Sequence, residues 1–354
     1  MDFYYLKGSN YTPLDSPGLR ILGVTVMGMI TISVGLAVGL VVFRKWRERT
    51  WGWCTCSTDM TGKVVVVTGG NSGIGKETAR GLAARGAIVV MGCRDARKAQ
   101  EAIADIRKTV STGDLVFLEL DLSSVDSIRV FVSRLLTKFK RVDVLINNAG
   151  VYYPPQDPPV TTTEGLEIHF AVNHLGHFLL THLLTDVLVA TPQSRIVVVS
   201  SELYKSGHLD VDDLFKSARD GRSSSRQPLY NNSKLANLLH ARQLHKNLSG
   251  RGVLVCALSP GFVYTGLFRH ALRQYSWIKR FAFLPVAYFF MKTTAQGAQT
   301  SIHCACSSKV MAAASSSSGP PYYSHCRQAA LLPVALNDEA AASLWEASLR
   351  LLRL

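Results

Sequence analysis

The chain has 354 residues, 47% of them hydrophobic, and carries 39 basic against 25 acidic residues for a formal net charge of +14. That composition supplies a sizeable core for two domains or for one large α/β domain. The basic excess raises nucleic acid as a partner, but no nucleic-acid motif occurs and the basic residues are spread along the chain, so attraction to anionic lipid headgroups is the better reading.

Residues 1–20 form a short N-terminal segment. Ile21 to Phe43 then runs for 23 residues without a charge. At 1.5 Å per residue this stretch can cross a hydrocarbon core of about 30 Å. It is longer than a signal-peptide core, and no clear small-residue cleavage site follows it. Residues 21–43 are therefore read as a transmembrane anchor and 44–60 as a basic juxtamembrane linker. The linker opens with Arg44-Lys45-Trp46-Arg47-Glu48-Arg49, whereas only Asp2, Lys7, Asp15 and Arg20 are charged before the span. By the positive-inside rule, a single-pass protein results with its main domain in the cytosol, the endoplasmic reticulum being the expected membrane. Trp46, Trp51 and Trp53 suit an interfacial aromatic belt. Gly35-x-x-x-Gly39 is a candidate helix-packing motif. Cys54 and Cys56 are candidates for palmitoylation. The seven cysteines show no zinc-site spacing, and no disulfide framework is expected, so no metal is assigned.

Residues 61–354 read as one domain of alternating elements. Strands are expected at 63–68, 87–92, 115–120, 142–146, 195–200 and 253–258. Helices are expected at 73–85, 95–109, 124–138, 164–190 and 228–248. Such alternation predicts a parallel sheet covered on both faces, with a ligand beyond the carboxyl ends of the strands.

The first strand, with its run of four valines, leads directly into Gly69-Gly70-Asn71-Ser72-Gly73-Ile74-Gly75 and then a helix. Strand, glycine turn and helix form the context in which a backbone approaches a pyrophosphate. The spacing is looser at its start than the usual fingerprint, and a plain strand–helix turn is the alternative. At the end of the second strand, where an NAD enzyme usually places an acid, stands Arg94. A guanidinium there can pair with the 2′-phosphate of NADP. Asp95, next to it, has a competing reading as a helix N-cap. Further on, Tyr230 and Lys234 lie four residues apart on one helical face. A neighbouring ammonium would lower the phenol pKa and make Tyr230 a proton donor and acceptor.

Together these segments resemble the short-chain dehydrogenase/reductase family, over roughly residues 60 to 352. Thr68 to Gly75 matches its cofactor motif, and Asp121-Leu122 the position beside the adenine. Asn147-Asn148-Ala149-Gly150 matches the motif steadying the central sheet. Asn173, Ser201, Tyr230 and Lys234 match the catalytic tetrad. Pro260-Gly261 and Thr265 match the nicotinamide side. Cys93-Arg94-Asp95, Asn173 to Phe178 and Ser233 to Asn237 resemble the membrane-bound retinol dehydrogenase branch most closely.

The resemblance implies a Rossmann-type doubly wound parallel sheet and an NADP(H)-dependent hydride transfer with a lipophilic carbonyl or alcohol, retinal/retinol first. Sterols, polyprenols and lipid aldehydes stay open as substrates. A non-catalytic dinucleotide-binding scaffold is the alternative from another class. Lys234 would also bind the nicotinamide ribose, Ser201 the substrate oxygen, and Asn173 a relay water. Ser200 is expected to end the buried strand. A lid is expected at Leu267 to Lys292, whose aromatic residues alternatively fill an ordinary core. A homodimer is left open. Gly207 to Arg226 reads as an inserted loop. Residues 307–319 read as a flexible loop, and Pro320-Pro321 put the final strand in doubt. A glycan at the Asn231 sequon would obstruct the site, which favours a cytosolic domain.

Overall fold

The computed structural model describes residues 17–153, 160–209, 229–266 and 276–354. The chain divides into two compact units, residues 1–49 and 50–354. The described part of the first belongs to helix α1 (Pro17–Thr50), which ends in a basic turn containing Arg47 and Arg49. Its stretch from Thr25 is long and apolar enough to cross a membrane. Val26, Met27, Ile30 and Leu36 are exposed along it.

The second unit is built on an eight-stranded sheet of order β3-β2-β1-β4-β5-β6-β7-β8. The strands are β1 (Val64–Thr68), β2 (Ile88–Cys93), β3 (Asp114–Glu119), β4 (Val144–Asn147), β5 (Arg195–Val199), β6 (Leu254–Ser259), β7 (Tyr322–Ser324) and β8 (Arg327–Ala329). All neighbours pair in parallel except β7 with β8. The valine run of β1 explains the layering. Side chains alternate across a strand, so Val64 and Val66 join one core while Val65 and Val67 join the other. Helices α2 (Gly73–Ala83), α3 (Ala96–Arg107) and α9 (Thr294–Cys306) cover the second face with Leu82, Ala99 and Ile302. Helices α4 (Val125–Lys138), α6 (Gly176–Ala190), α7 (Leu229–Leu248) and α11 (Asp338–Leu352) cover the first with Phe131, Leu184, Leu239 and Leu344. The order reverses at β1, which pairs with both β2 and β4. The crossovers on its two sides therefore diverge and leave a crevice at the carboxyl edge.

Two expectations are corrected. The helix expected over 164–190 is broken into α5 (Ile168–Phe170), a π-helical turn at Ala171–Leu175, and α6. The stretch expected as a loop forms helix α10 (Ser308–Ser316). Its Val310 and Ala314, one turn apart, are buried, and this pairing holds the serine-rich segment on the core. The final strand forms as well. Pro320 and Pro321 sit just before β7, where Pro321 needs only its carbonyl, which accepts from Ala257 N at 3.1 Å. The expected inserted loop falls, from residue 210 to 226, outside the described residues, as does 267–275 of the expected lid. The described part of that lid contains helix α8 (Trp277–Phe290).

Candidate active site

The glycine turn, Arg94, Asp121, Asn148, Ser201 and Pro260 follow the carboxyl ends of β1 to β6 in turn. Thr68 ends β1, and Gly69 turns the chain with φ of +68°. A Cβ on Gly75 would lie 2.3 Å from the Gly69 carbonyl oxygen and 2.5 Å from Asn148 Nδ2, so this first turn of α2 admits no side chain. Ser72, the N-cap of α2, makes no side-chain capping bond. Helices α3, α4, α9 and α11, by contrast, are capped by Asp95, Ser124, Thr293 and Asn337. A bare, glycine-lined helix start suits the phosphates of a dinucleotide, because its first N–H groups have no intrahelical acceptor. Asn71, Ser72, Gly73 and Ile74 form this turn, with Ile74 packed partly into the core.

Three charged residues next to the turn have distinct positions. Asp95 caps α3 by accepting from Lys98 N at 3.0 Å, which commits its carboxylate to the helix. Lys76 pairs with Asp105 at 2.7 Å, an aspartate that Arg80 also contacts. Arg94 stays 73% exposed and only loosely approaches Asp121, at 3.8 Å. Asp121 is turned to Ser123, and the Leu122 side chain is buried in the core, so only the backbone of Leu122 is available to a ligand.

Beyond β4, the Asn148 and Ala149 N–H groups both donate to Thr68 Oγ1 at 2.9 Å, and Asn148 Nδ2 donates to Thr68 O at 2.8 Å. Thr68 Oγ1 lies 2.8 Å from His177 Nε2, whose Nδ1 lies 3.0 Å from the Asn173 carbonyl oxygen. A carbonyl only accepts, so Nδ1 carries the proton and Nε2 accepts from the threonine hydroxyl. Burial pushes His177 down to about 4, which keeps it neutral in this role. His177 thus links the end of β1 to the π turn. Sequence reasoning missed it as a site residue; the only available signal was its place four residues after Asn173.

The π turn aims the fully buried Asn173 inward. Single π turns re-aim side chains out of the α register and recur at functional sites. Asn173 Oδ1 accepts from Val151 N at 2.8 Å, and Nδ2 donates to Val151 O at 3.2 Å and to Ser233 Oγ at 3.0 Å. Gly150 lies between Asn173 and Lys234: a Cβ there would stand 3.4 Å from Asn173 Oδ1 and 3.5 Å from Lys234 Nζ. Lys234 Nζ donates to Val199 O at 3.2 Å and lies 5.7 Å from the Tyr230 ring centroid. Ser200 Oγ donates to Lys234 O at 2.7 Å, so Ser200 serves the packing of α7 on β5. Ser201 is partly exposed, and its hydroxyl acts on the Tyr230 side chain, pulling the phenol pKa down. Tyr152 packs edge-on against Tyr230 at 5.2 Å, a further neighbour the sequence did not single out.

The electrostatics differ from the expectation of a lowered phenol pKa. Burial pushes Tyr230 up to about 12, with the Ser201 hydroxyl pulling the other way. Burial also pushes Lys234 down to about 8. Desolvation of both groups outweighs their mutual attraction at this distance. On the other wall, Pro260 is buried, Gly261 takes φ of +81°, and the Thr265 methyl lies 3.7 Å from the place of a Cβ on Gly73. The cofactor-motif turn and this segment therefore adjoin. On α8, Trp277, Phe281, Leu284 and Tyr288 are exposed rather than held in a core.

A family model described as short chain dehydrogenase matches residues 63–210. Retinol dehydrogenase 14 of Mus musculus is 43% identical over 82% of this chain and 85% of its own length. Retinol dehydrogenase 12 of Homo sapiens is 41% identical, covering 85% of this chain and 90% of its own. A solved structure assigned as an NAD(P) dependent gluconate 5-dehydrogenase of Beutenbergia cavernae, with bound NADP at low occupancy, is 25% identical with a TM-score of 0.55, covering 70% of this chain and 91% of its own. The chain is thus a member of the short-chain dehydrogenase/reductase family of oxidoreductases, most similar to its retinol dehydrogenase branch.

Proposed function

We propose that this protein uses NADP(H) to interconvert a lipophilic carbonyl and its alcohol, with retinal and retinol as the leading pair. The observation that carries this reading is the convergence of Tyr230, Ser201, Lys234 and Asn173 next to the bare glycine turn of α2. When bound, the reduced nicotinamide supplies the hydride. Tyr230, kept protonated at neutral pH by burial, donates its proton to the substrate oxygen. The Ser201 hydroxyl stabilises negative charge developing on that oxygen. Lys234 stabilises the phenolate left behind, binds the nicotinamide ribose, and is near enough to neutral pKa to exchange its proton. The Asn173 carbonyl, which His177 Nδ1 approaches at 3.0 Å, would hold the relay water.

Gly69, Asn71, Ser72, Gly73, Ile74 and Gly75 take the phosphates, with Asp121 and Leu122 beside the adenine. Asn148, Ala149, Gly150, Pro260, Gly261 and Thr265 line the nicotinamide end. Arg94 favours NADP, since it is exposed while Asp95 is committed to a helix cap. The exposed aromatic face of α8 suits a substrate taken from a lipid layer, and the retinol dehydrogenase relatives favour a retinoid. The apolar helix α1 with its basic end suits a single-pass anchor with residues 61–354 in the cytosol, at the endoplasmic reticulum.

The test is turnover by the detergent-solubilised full chain of retinaldehyde, sterol ketones and long-chain aldehydes, each with NADPH and NADH. Retinaldehyde with NADPH should be turned over fastest. Dinucleotide binding without turnover of any carbonyl would leave only the scaffold reading.

A further inference from the structure

The sequence scatters its cysteines, but the fold gathers three of them away from the active site. Cys54, Cys56 and Cys306 place their Sγ atoms all within 4.8 Å of one another, with Cys54 and Cys56 at 2.7 Å. A tetrahedral zinc ion with Zn–S bonds of about 2.3 Å holds its sulfurs roughly 3.8 Å apart, a value inside this range. Cys54 and Cys56 lie two apart on the segment that precedes β1, and Cys306 is the last residue of α9.

The scaffold around them is fixed independently of the sulfurs. Cys54 N donates to Gln299 Oε1 at 3.3 Å, and Thr58 Oγ1 donates to Cys306 O at 2.9 Å. Both bonds hold the segment against α9. Cys54 and Cys306 are buried, whereas Cys56 is partly exposed and lines an open cleft with Ser57, Thr58, Asp59 and Arg85. The cleft gives an ion a path in, as a metal site requires.

Two arginines stand beside the cluster. Arg85 stands beside Cys56, its guanidinium donating to the Cys56 carbonyl at 3.2 Å. Arg195 is buried nearby, its guanidinium donating to the Cys304 and Ser307 carbonyls at the end of α9 at 3.1 and 3.0 Å. Three thiolates around a divalent ion carry one net negative charge, which these cations balance.

We propose that Cys54, Cys56 and Cys306 form a thiolate site for a soft divalent cation, zinc in the first instance, with the fourth position open to water in the cleft. Bound metal clasps the segment before β1 onto α9. Soft thiolates select such ions over magnesium or calcium. The ligands must lose their protons on binding, so metal uptake releases protons.

The experiment uses the full chain, detergent-solubilised, reduced with a phosphine and stripped of metal. Co²⁺ is titrated in as a spectroscopic probe and then displaced with Zn²⁺. One ion per chain should give sulfur-to-cobalt charge transfer and tetrahedral visible bands, with release of thiol protons. Loss of an outer-shell partner already costs about 10–100-fold in affinity, so Cys56→Ser should weaken binding by at least roughly a hundredfold. Cys306→Ser should do the same, and Cys326→Ser should change nothing. Cys56, being partly exposed, is the variant least prone to misfold; circular dichroism checks both. Absence of the charge-transfer band, or its persistence in folded Cys56→Ser, would overturn the site. So would reduced protein that binds no cobalt while air oxidation removes two thiols, the signature of a disulfide pair instead.

Discussion

Replacing Lys234 by methionine should stabilise the fold while removing activity. Lys234 is wholly enclosed, and burial lowers its pKa from the usual 10.5 to about 8. At 1.36 kcal/mol for each tenfold change, keeping the ammonium charged at neutral pH costs about 3 kcal/mol. Its ammonium donates to Val199 O, but that carbonyl also receives Asn237 Nδ2 at 3.4 Å and stays partnered when the lysine is gone. Methionine is unbranched and of similar length, so it fills the same channel without the charge. The net gain should be about 2–3 kcal/mol. The sign follows from the two pKa values. The unfolded chain binds the proton more tightly, so the penalty is full below pH 8, declines between 8 and 10.5, and is absent above. Denaturant unfolding of wild type and variant from pH 6.5 to 10.5 measures this. The advantage of Lys234→Met should be largest near pH 7 and close at about pH 10.5, with turnover down by roughly a hundredfold or more. A variant less stable at pH 7, or a difference independent of pH, would refute the electrostatic reasoning.

Arg94→Ala should raise the Michaelis constant for NADPH about ten- to a hundredfold, the worth of a hydrogen bond to a charged group, and leave that for NADH nearly unchanged; equal losses for both would make Arg94 a structural residue. His177→Phe leaves the Thr68 hydroxyl and the Asn173 carbonyl without the imidazole between them, at a cost of about 1–3 kcal/mol in unfolding free energy. It should lower kcat more than it raises the cofactor Michaelis constant, because the π turn carries Asn173; unchanged kcat would limit His177 to packing. Protease added to intact microsomes should digest residues 61–354, and protection until detergent is added would reverse the orientation.

The parallel sheet was legible because strands buried on both faces, such as Val64 to Val67, announce themselves by composition. Six expected strands agree with β1 to β6 to within two residues at each end. The elements past β6 were not, because a serine run at 315–318 and two prolines mask a helix held by Val310 and Ala314 and a strand that starts just after Pro321. Among the candidate residues, the resemblance assigned Asn148, Gly150, Asn173 and Lys234 to one site, and the fold brings Gly150 against both Asn173 and Lys234. The π turn was hidden, since nothing in Ala171 to Leu175 distinguishes it from an ordinary helix. Nor could spacing reveal that burial, rather than the Lys234 ammonium, dominates the Tyr230 pKa. The thiol cluster was invisible for another reason: Cys306 meets Cys54 and Cys56 only through the docking of α9, a long-range contact with no local signature.

The most direct test of the account is retinaldehyde reduction by Tyr230→Phe beside a measurement of its NADPH affinity. The phenylalanine ring keeps the packing against Tyr152 but has no proton to give. Turnover should fall far below a tenth of wild type, with NADPH bound as tightly as before. Activity above a tenth, equivalent to less than about 1.4 kcal/mol of barrier, would contradict the assignment of Tyr230 as the proton donor.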